Sequence, residues 1–139
     1  MADVLPFKGL RYNRTKIDNL AKVICPPYDI IPPALHEELH NRDEYNFIRI
    51  EDAKSYPQDS NTDNKYTRAA HALQQFVEQK ILVSEKKPAI YLHDHFFKIA
   101  GKEMMRRGIE AIVRLEEWEK GIIKPHEGIL AAAKDDRLN

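Results

Sequence analysis

"AIYLHDHFFKIAGKEMMRRGIEAIVRLEEW", residues Ala89–Trp118, is the stretch on which the fold turns. Two extended blocks, each mixing apolar and polar residues, flank Ala-Gly-Lys-Glu, and a glycine-containing turn between such blocks predicts a β-hairpin over about residues 89–114. A hairpin is necessarily antiparallel. Upstream, Tyr66, Ala70, Leu73, Val77 and Ile81 recur at spacings of three and four, which puts them on one stripe of an amphipathic helix over about residues 63–81. Helices and strands without strict β-α-β alternation argue for an α+β fold, a mixed or antiparallel sheet containing the hairpin and packed against that helix.

Working outward, Pro6, Pro26 and Pro27 make the first thirty residues extended segments and turns, and "KVICPPYDII" reads as a short strand followed by a fixed loop. Pro32 and Pro33 sit where a first helical turn tolerates proline, so "PALHEELHNR" should be a short helix. "YNFIRIE" alternates Phe47 and Arg49 against Ile48 and Ile50 and is expected as a strand, while Asp52–Asn64, rich in Ser, Asn and Asp, is expected as an exposed loop. Glu116–Lys120 should make one helical turn stopped by Gly121. Residues 1–139 are expected to form a single domain. The closing "ILAAAKDDRLN" reads as a helix just begun, with no stop signal, and is expected to continue into a longer protein of which this chain is the N-terminal fragment.

Composition narrows the classes. Lys plus Arg equals Asp plus Glu at 22 each, so no global field draws nucleic acid or anionic membrane, and no basic tract interleaved with aromatics suggests RNA or single-stranded DNA binding. Cys25 is the single cysteine, which excludes an internal disulfide and every cysteine-based zinc signature and suits a reducing, cytoplasmic setting. No run approaches the roughly 18 apolar residues of a membrane span.

Four stretches carry candidate chemistry. "HEELH", His36–His40, matches the H-E-x-x-H pattern in which two histidines one turn apart bind zinc and the glutamate acts as base. Against it, two prolines open the helix almost at His36, "NRDEYN" follows, and no downstream ligand pattern appears, so no metal site is assigned. "HDH" places His93 and His95 on one strand face, where half-solvated histidines are the common case. In "MMRRG", Arg106 and Arg107 point to opposite faces, so at most one serves a given phosphate; an exposed charge paired with a carboxylate is the alternative. Finally "KPHEG" holds His126 and Glu127 between Pro125, which fixes the backbone, and Gly128, which permits close ligand approach. On spacing alone, a catalytic pair and a solvated turn both remain open, with the turn the commoner outcome. Neither a G-x-x-x-x-G-K-[ST] loop nor a G-x-G-x-x-G loop occurs.

Taken together, "PFKGLRYN", "VICPPYDII", "YNFIRIE", the hairpin segment and "GIIKPHEGIL" followed by "KDDRL" resemble the N-terminal part of the domain of unknown function 1015 family of bacteria and archaea. Members carry a D-G-H-H-R type segment further along, and a Pro-His-Glu upstream of it is similar to the layout of the free serine kinases related to ParB and sulfiredoxin. The resemblance implies a nucleotide-dependent kinase of a small, amino acid-like hydroxyl compound, working with Mg2+ and ATP or ADP. In it Glu127 is the general base, His126 orients that base or contacts phosphate, and Arg107 and Arg137 are phosphate- or substrate-binding candidates. It equally implies an alternative, a non-catalytic ParB-like nucleotide-binding regulatory protein. Where members often carry a hydroxyl-bearing residue after the His-Glu pair, this chain has Ile129.

Overall fold

The computed structural model describes residues 1–124, and these fall into two compact units, Met1–Leu10 with residues 84–124, and Arg11–Val83. The expected α+β class is found. Strand β1 (Val4–Leu5) pairs antiparallel with β6 (Ile112–Val113), β2 (Leu10–Tyr12) pairs with β3 (Leu82–Ser84), and β4 (Tyr91–Ile99) pairs antiparallel with β5 (Lys102–Glu110). Four helices are present among the described residues: α1 (Leu20–Val23), α2 (Pro33–Arg42), α3 (Ile48–Glu51) and α4 (Lys65–Glu78). None of them is long and apolar enough to cross a membrane.

In the first unit the predicted hairpin is β4–β5, with Phe96 opposite Met105 and Ile99 opposite Lys102. The two-residue connection is Ala100 at φ 48° and Gly101 at φ 78°, both left-handed, the geometry whose twist matches that of the flanking strands. Tyr91 ties the hairpin to the N-terminal segment. Its hydroxyl accepts from the Gly9 N–H at 2.7 Å, and a side chain at Gly9 would lie 2.9 Å from that oxygen, so the approach requires glycine. Further on, a 3-10 turn at Trp118–Lys120 ends at Gly121 (φ 60°), as the sequence predicts.

Every described residue that is buried lies in the second unit. Its core gathers Ile17, Val23, Phe76, Ile81 and Leu82, with Leu39 and Ile48 fully enclosed nearby. Helix α4 forms as expected. Asn64 caps it by accepting from the Tyr66 and Thr67 N–H groups, while the Thr67 hydroxyl accepts from the Asn64 N–H. At the other end the Ile81 N–H bonds the Phe76 carbonyl and the Lys80 N–H bonds the Val77 carbonyl, with Lys80 left-handed at φ 56°. This Schellman closure delivers Ile81 into the core after the helix has ended. The stripe is rotated from the expected one: Leu73 and Val77 are exposed, Ala69 and Ala72 are half-buried and Phe76 is buried, and α4 packs on α3.

Two other expectations are overturned. "KVICPPYDII" holds no strand: Leu20–Val23 is a helical turn capped by Asn19, and Tyr28–Ile30 is a 3-10 turn after the two prolines. "YNFIRIE" is also not a strand, because Ile48–Glu51 is helical. The reason is Asn46. Its side-chain oxygen accepts from the Ile48 N–H at 3.0 Å, a local bond that competes with extended pairing, and its amide donates to the Lys22 carbonyl at 2.7 Å. Asn46 is fully buried, so Asn46→Ala strands both backbone partners and should cost about 2–3 kcal/mol of stability in a urea titration. A loss well under 1 kcal/mol would mean that water reaches those groups.

Candidate functional site

The described residues place one candidate site, a cavity of about 500 Å³ in the second unit, bordered by the end of α2, by α3, by the loop after α3 and by α4. Arg68 on α4 organises the loop. Its guanidinium donates to the Lys54 carbonyl at 2.8 and 3.1 Å, to both oxygens of Asp59 at 2.7 Å and to Asp63 at 2.6 Å. Hydrogen bonding to Arg68 holds the Asp59 carboxyl below the usual carboxylate range. Thus the segment Asp52–Asn64, expected as an exposed loop, holds no helix or strand but buries Ala53 and is pinned by one arginine. Arg68 also lies over the Tyr56 ring, 4.9 Å from its centroid.

The two histidines of "HEELH" meet at one atom. His36 Nε2 lies 2.8 Å and His40 Nε2 3.2 Å from the Asp52 carbonyl oxygen, so each donates to it from Nε2, and the rings sit 4.6 Å apart between centroids. That carbonyl belongs to the residue closing α3, and the pair satisfies an acceptor that the short helix leaves open. Nitrogens committed as donors are not free to ligate zinc. Among the described residues no group of three or more His, Cys, Asp or Glu side chains could hold a metal ion. The H-E-x-x-H spacing thus serves as a clamp between α2 and the end of α3.

His40 is buried, and desolvation first of all pulls its pKa below the ordinary histidine value, with His36, Arg49 and Lys54 acting electrostatically in the same direction and the Asp52 hydrogen bond against it. A depressed folded pKa means that the unfolded chain binds the proton more readily. The stabilisation is therefore complete above about pH 6.5 and is lost as pH falls toward the folded value. The stability gap between the native chain and His40→Gln should narrow between about pH 7.5 and 5 in paired urea titrations, and a constant gap would remove His40 from the pH response.

Elsewhere, burial, with Glu51 and Asp52 adding to it, pushes the half-buried Cys25 thiol up to about 11. That keeps it protonated and poorly nucleophilic at neutral pH.

The remaining candidates lie on the hairpin or beyond the described residues. Arg107 sits opposite Asp94 and binds it with both arms, Nε to Oδ1 at 2.6 Å and Nη2 to Oδ2 at 2.7 Å, so an incoming phosphate would compete with a carboxylate already in the fork. Arg106 pairs with His95 on the opposite face, and His93 stacks near His95 at 6.3 Å, as the period of two requires. His126, Glu127 and Arg137 lie outside the described residues. The sequence reading missed the cavity side chains Arg49, Lys54, Arg68 and His71, and only Asn46 before Ile48 hinted that Arg49 lies in a helix.

A family model described as Protein of unknown function (DUF1015) matches residues 4–139. No curated protein and no solved structure matches the chain.

Proposed function

Starting from the premise that the chain belongs to the family described as Protein of unknown function (DUF1015), we propose that it serves nucleotide-dependent phosphoryl transfer to the hydroxyl of a small, amino acid-like molecule. The observation that supports this reading is Pro125-His126-Glu127-Gly128, a carboxylate between a ring-constrained residue and one without a side chain, inside the span that the family match covers. Transfer of a phosphoryl group needs the attacking hydroxyl to surrender a proton while its oxygen bonds to phosphorus and the nucleotide oxygen departs. Glu127 is the acceptor of that proton. His126 orients the carboxylate or meets the phosphate, and Arg137 and Arg107 are the cationic candidates for the anionic partner. Magnesium bound with ATP or ADP supplies neutralisation of the phosphate charge.

One residue favours a second reading. Ile129 stands where a hydroxyl commonly follows the His-Glu pair in members of this family, and its loss fits nucleotide binding without turnover, the behaviour of a regulatory switch. Incubating the protein with ATP or ADP, Mg2+ and a panel of free amino acids separates the two. A new phosphorylated product, read by phosphorus NMR, supports the kinase. Saturable nucleotide binding with no product from any acceptor supports the switch.

A further inference from the structure

The cavity in the second unit contains a cation without a counter-charge among the described residues. Of the lysine and arginine side chains that line it, Lys54 is paired with Glu37 at 2.6 Å, and Arg68 is paired with Asp59 and Asp63. Arg49 has no such partner. Its Nη2 donates to the His40 carbonyl at 3.0 Å, and its Nε is buried with no hydrogen-bond partner at all, alone in this among buried side-chain nitrogen and oxygen atoms of the described residues. Arg49 is half-buried, and a shielded N–H with no acceptor is costly, since the single carbonyl bonded at Nη2 does nothing for Nε. His71 and Gln75 of α4 line the same cavity.

We propose that this cavity binds a small molecule carrying an oxyanion, with the Arg49 guanidinium as its receptor and His71 and Gln75 of α4 as polar neighbours. The planar fork of arginine matches the two oxygens of a phosphate or carboxylate. A volume of about 500 Å³ is larger than one phosphate needs and lies within the range of small-molecule sites, so the anion is one end of a larger ligand. Tyr56 and Ala72 line the cavity too, and they offer aromatic and aliphatic surface to the rest of it. The site is built wholly from residues 40–75 and goes beyond the phosphoryl-transfer reading: it stands if that reading fails.

The test is titration of the 139-residue chain with inorganic pyrophosphate and, separately, with citrate, followed by amide chemical shifts. Saturable shifts centred on Arg49 and His71 at low millimolar ligand are expected. The stronger of the two probes tells whether phosphate or carboxylate is the natural anion. Arg49→Gln should weaken binding roughly tenfold or more. Because Arg49 also braces the end of α2, a variant that spares that bond is needed: His71→Glu, at an exposed position, sets a negative charge against the anion and should weaken binding to a similar degree without changing stability. Absence of shifts with both probes, shifts confined to residues outside the cavity, or unchanged affinity in His71→Glu would each overturn the proposal.

Discussion

Phe76→Ala is expected to lower the free energy of unfolding by about 3–5 kcal/mol, whereas Leu73→Ala and Val77→Ala on the same helix should cost about 1 kcal/mol or less each. Phe76 is 4% exposed, belongs to the core cluster with Val23, Ile81 and Leu82, and meets the Tyr45 ring edge-on at 5.6 Å between centroids. Removing the ring opens a space that α3 cannot close, because Ile48 and Asn46 are locked to the Val23 end of α1 by the Asn46 hydrogen bonds and by the Phe47 N–H to the Val23 carbonyl at 2.7 Å. Leu73 and Val77 keep 38% and 42% of their surface in water, so truncation removes little buried area. Urea titrations of the three variants decide it. A Leu73→Ala loss as large as that of Phe76→Ala would show that α4 buries the other face.

The contrast explains why the fold was only partly legible. The period of three and four gave the helix correctly, yet two stripes satisfy it on α4, and the larger apolar side chains drew the reading to Leu73 and Val77. The more buried face carries the small Ala69 and Ala72, the half-buried Tyr66 and the buried Phe76, and α4 packs on α3. Periodicity counts apolar residues without weighing how near a neighbour must come. Ile81 joined the expected stripe for a different reason: it does reach the core, but through the left-handed Lys80 and not through helical phase. At "YNFIRIE" alternation was real, and the Asn46 side chain overrode it. The hairpin succeeded because its signal was local, two extended blocks around a turn that Gly101 can make.

The site was less legible still. "HEELH" offered a motif with known chemistry, and its two histidines do converge, but on the Asp52 carbonyl, an atom sixteen and twelve positions away that no pattern within the motif announces. Arg49 and Arg68 carry no motif. Their meaning comes from which carboxylates reach them: two for Arg68, and none for Arg49 among the described residues. Counter-charge pairing across a loop is a tertiary fact. In Arg107 the sequence reading named a cation whose fork is occupied, while the unpaired one lay in a segment read as a strand.

On the kinase reading, Glu127→Gln should reduce product formation by about 10²–10⁴-fold while leaving nucleotide affinity nearly unchanged, because general-base catalysis contributes on that scale. The substitution keeps the shape and hydrogen-bonding reach of the side chain and removes its basicity, so a loss of turnover reports on proton transfer rather than packing. Glu127→Asp keeps the carboxylate but shortens it by one methylene, and should retain part of the rate at lower efficiency, since the base must reach the hydroxyl directly. Product is followed by mass spectrometry and nucleotide binding by calorimetry. Ile129→Ser supplies the complementary arm: if the hydroxyl common at that position assists the phosphate, its restoration raises turnover in a chain that retains Glu127 and does nothing for Glu127→Gln. Unchanged product formation in Glu127→Gln would leave the His-Glu pair as a polar turn, and the source of the base would have to be sought among other carboxylates. The Arg49 cavity is independent of that outcome, because no residue lining it falls in the Pro-His-Glu segment.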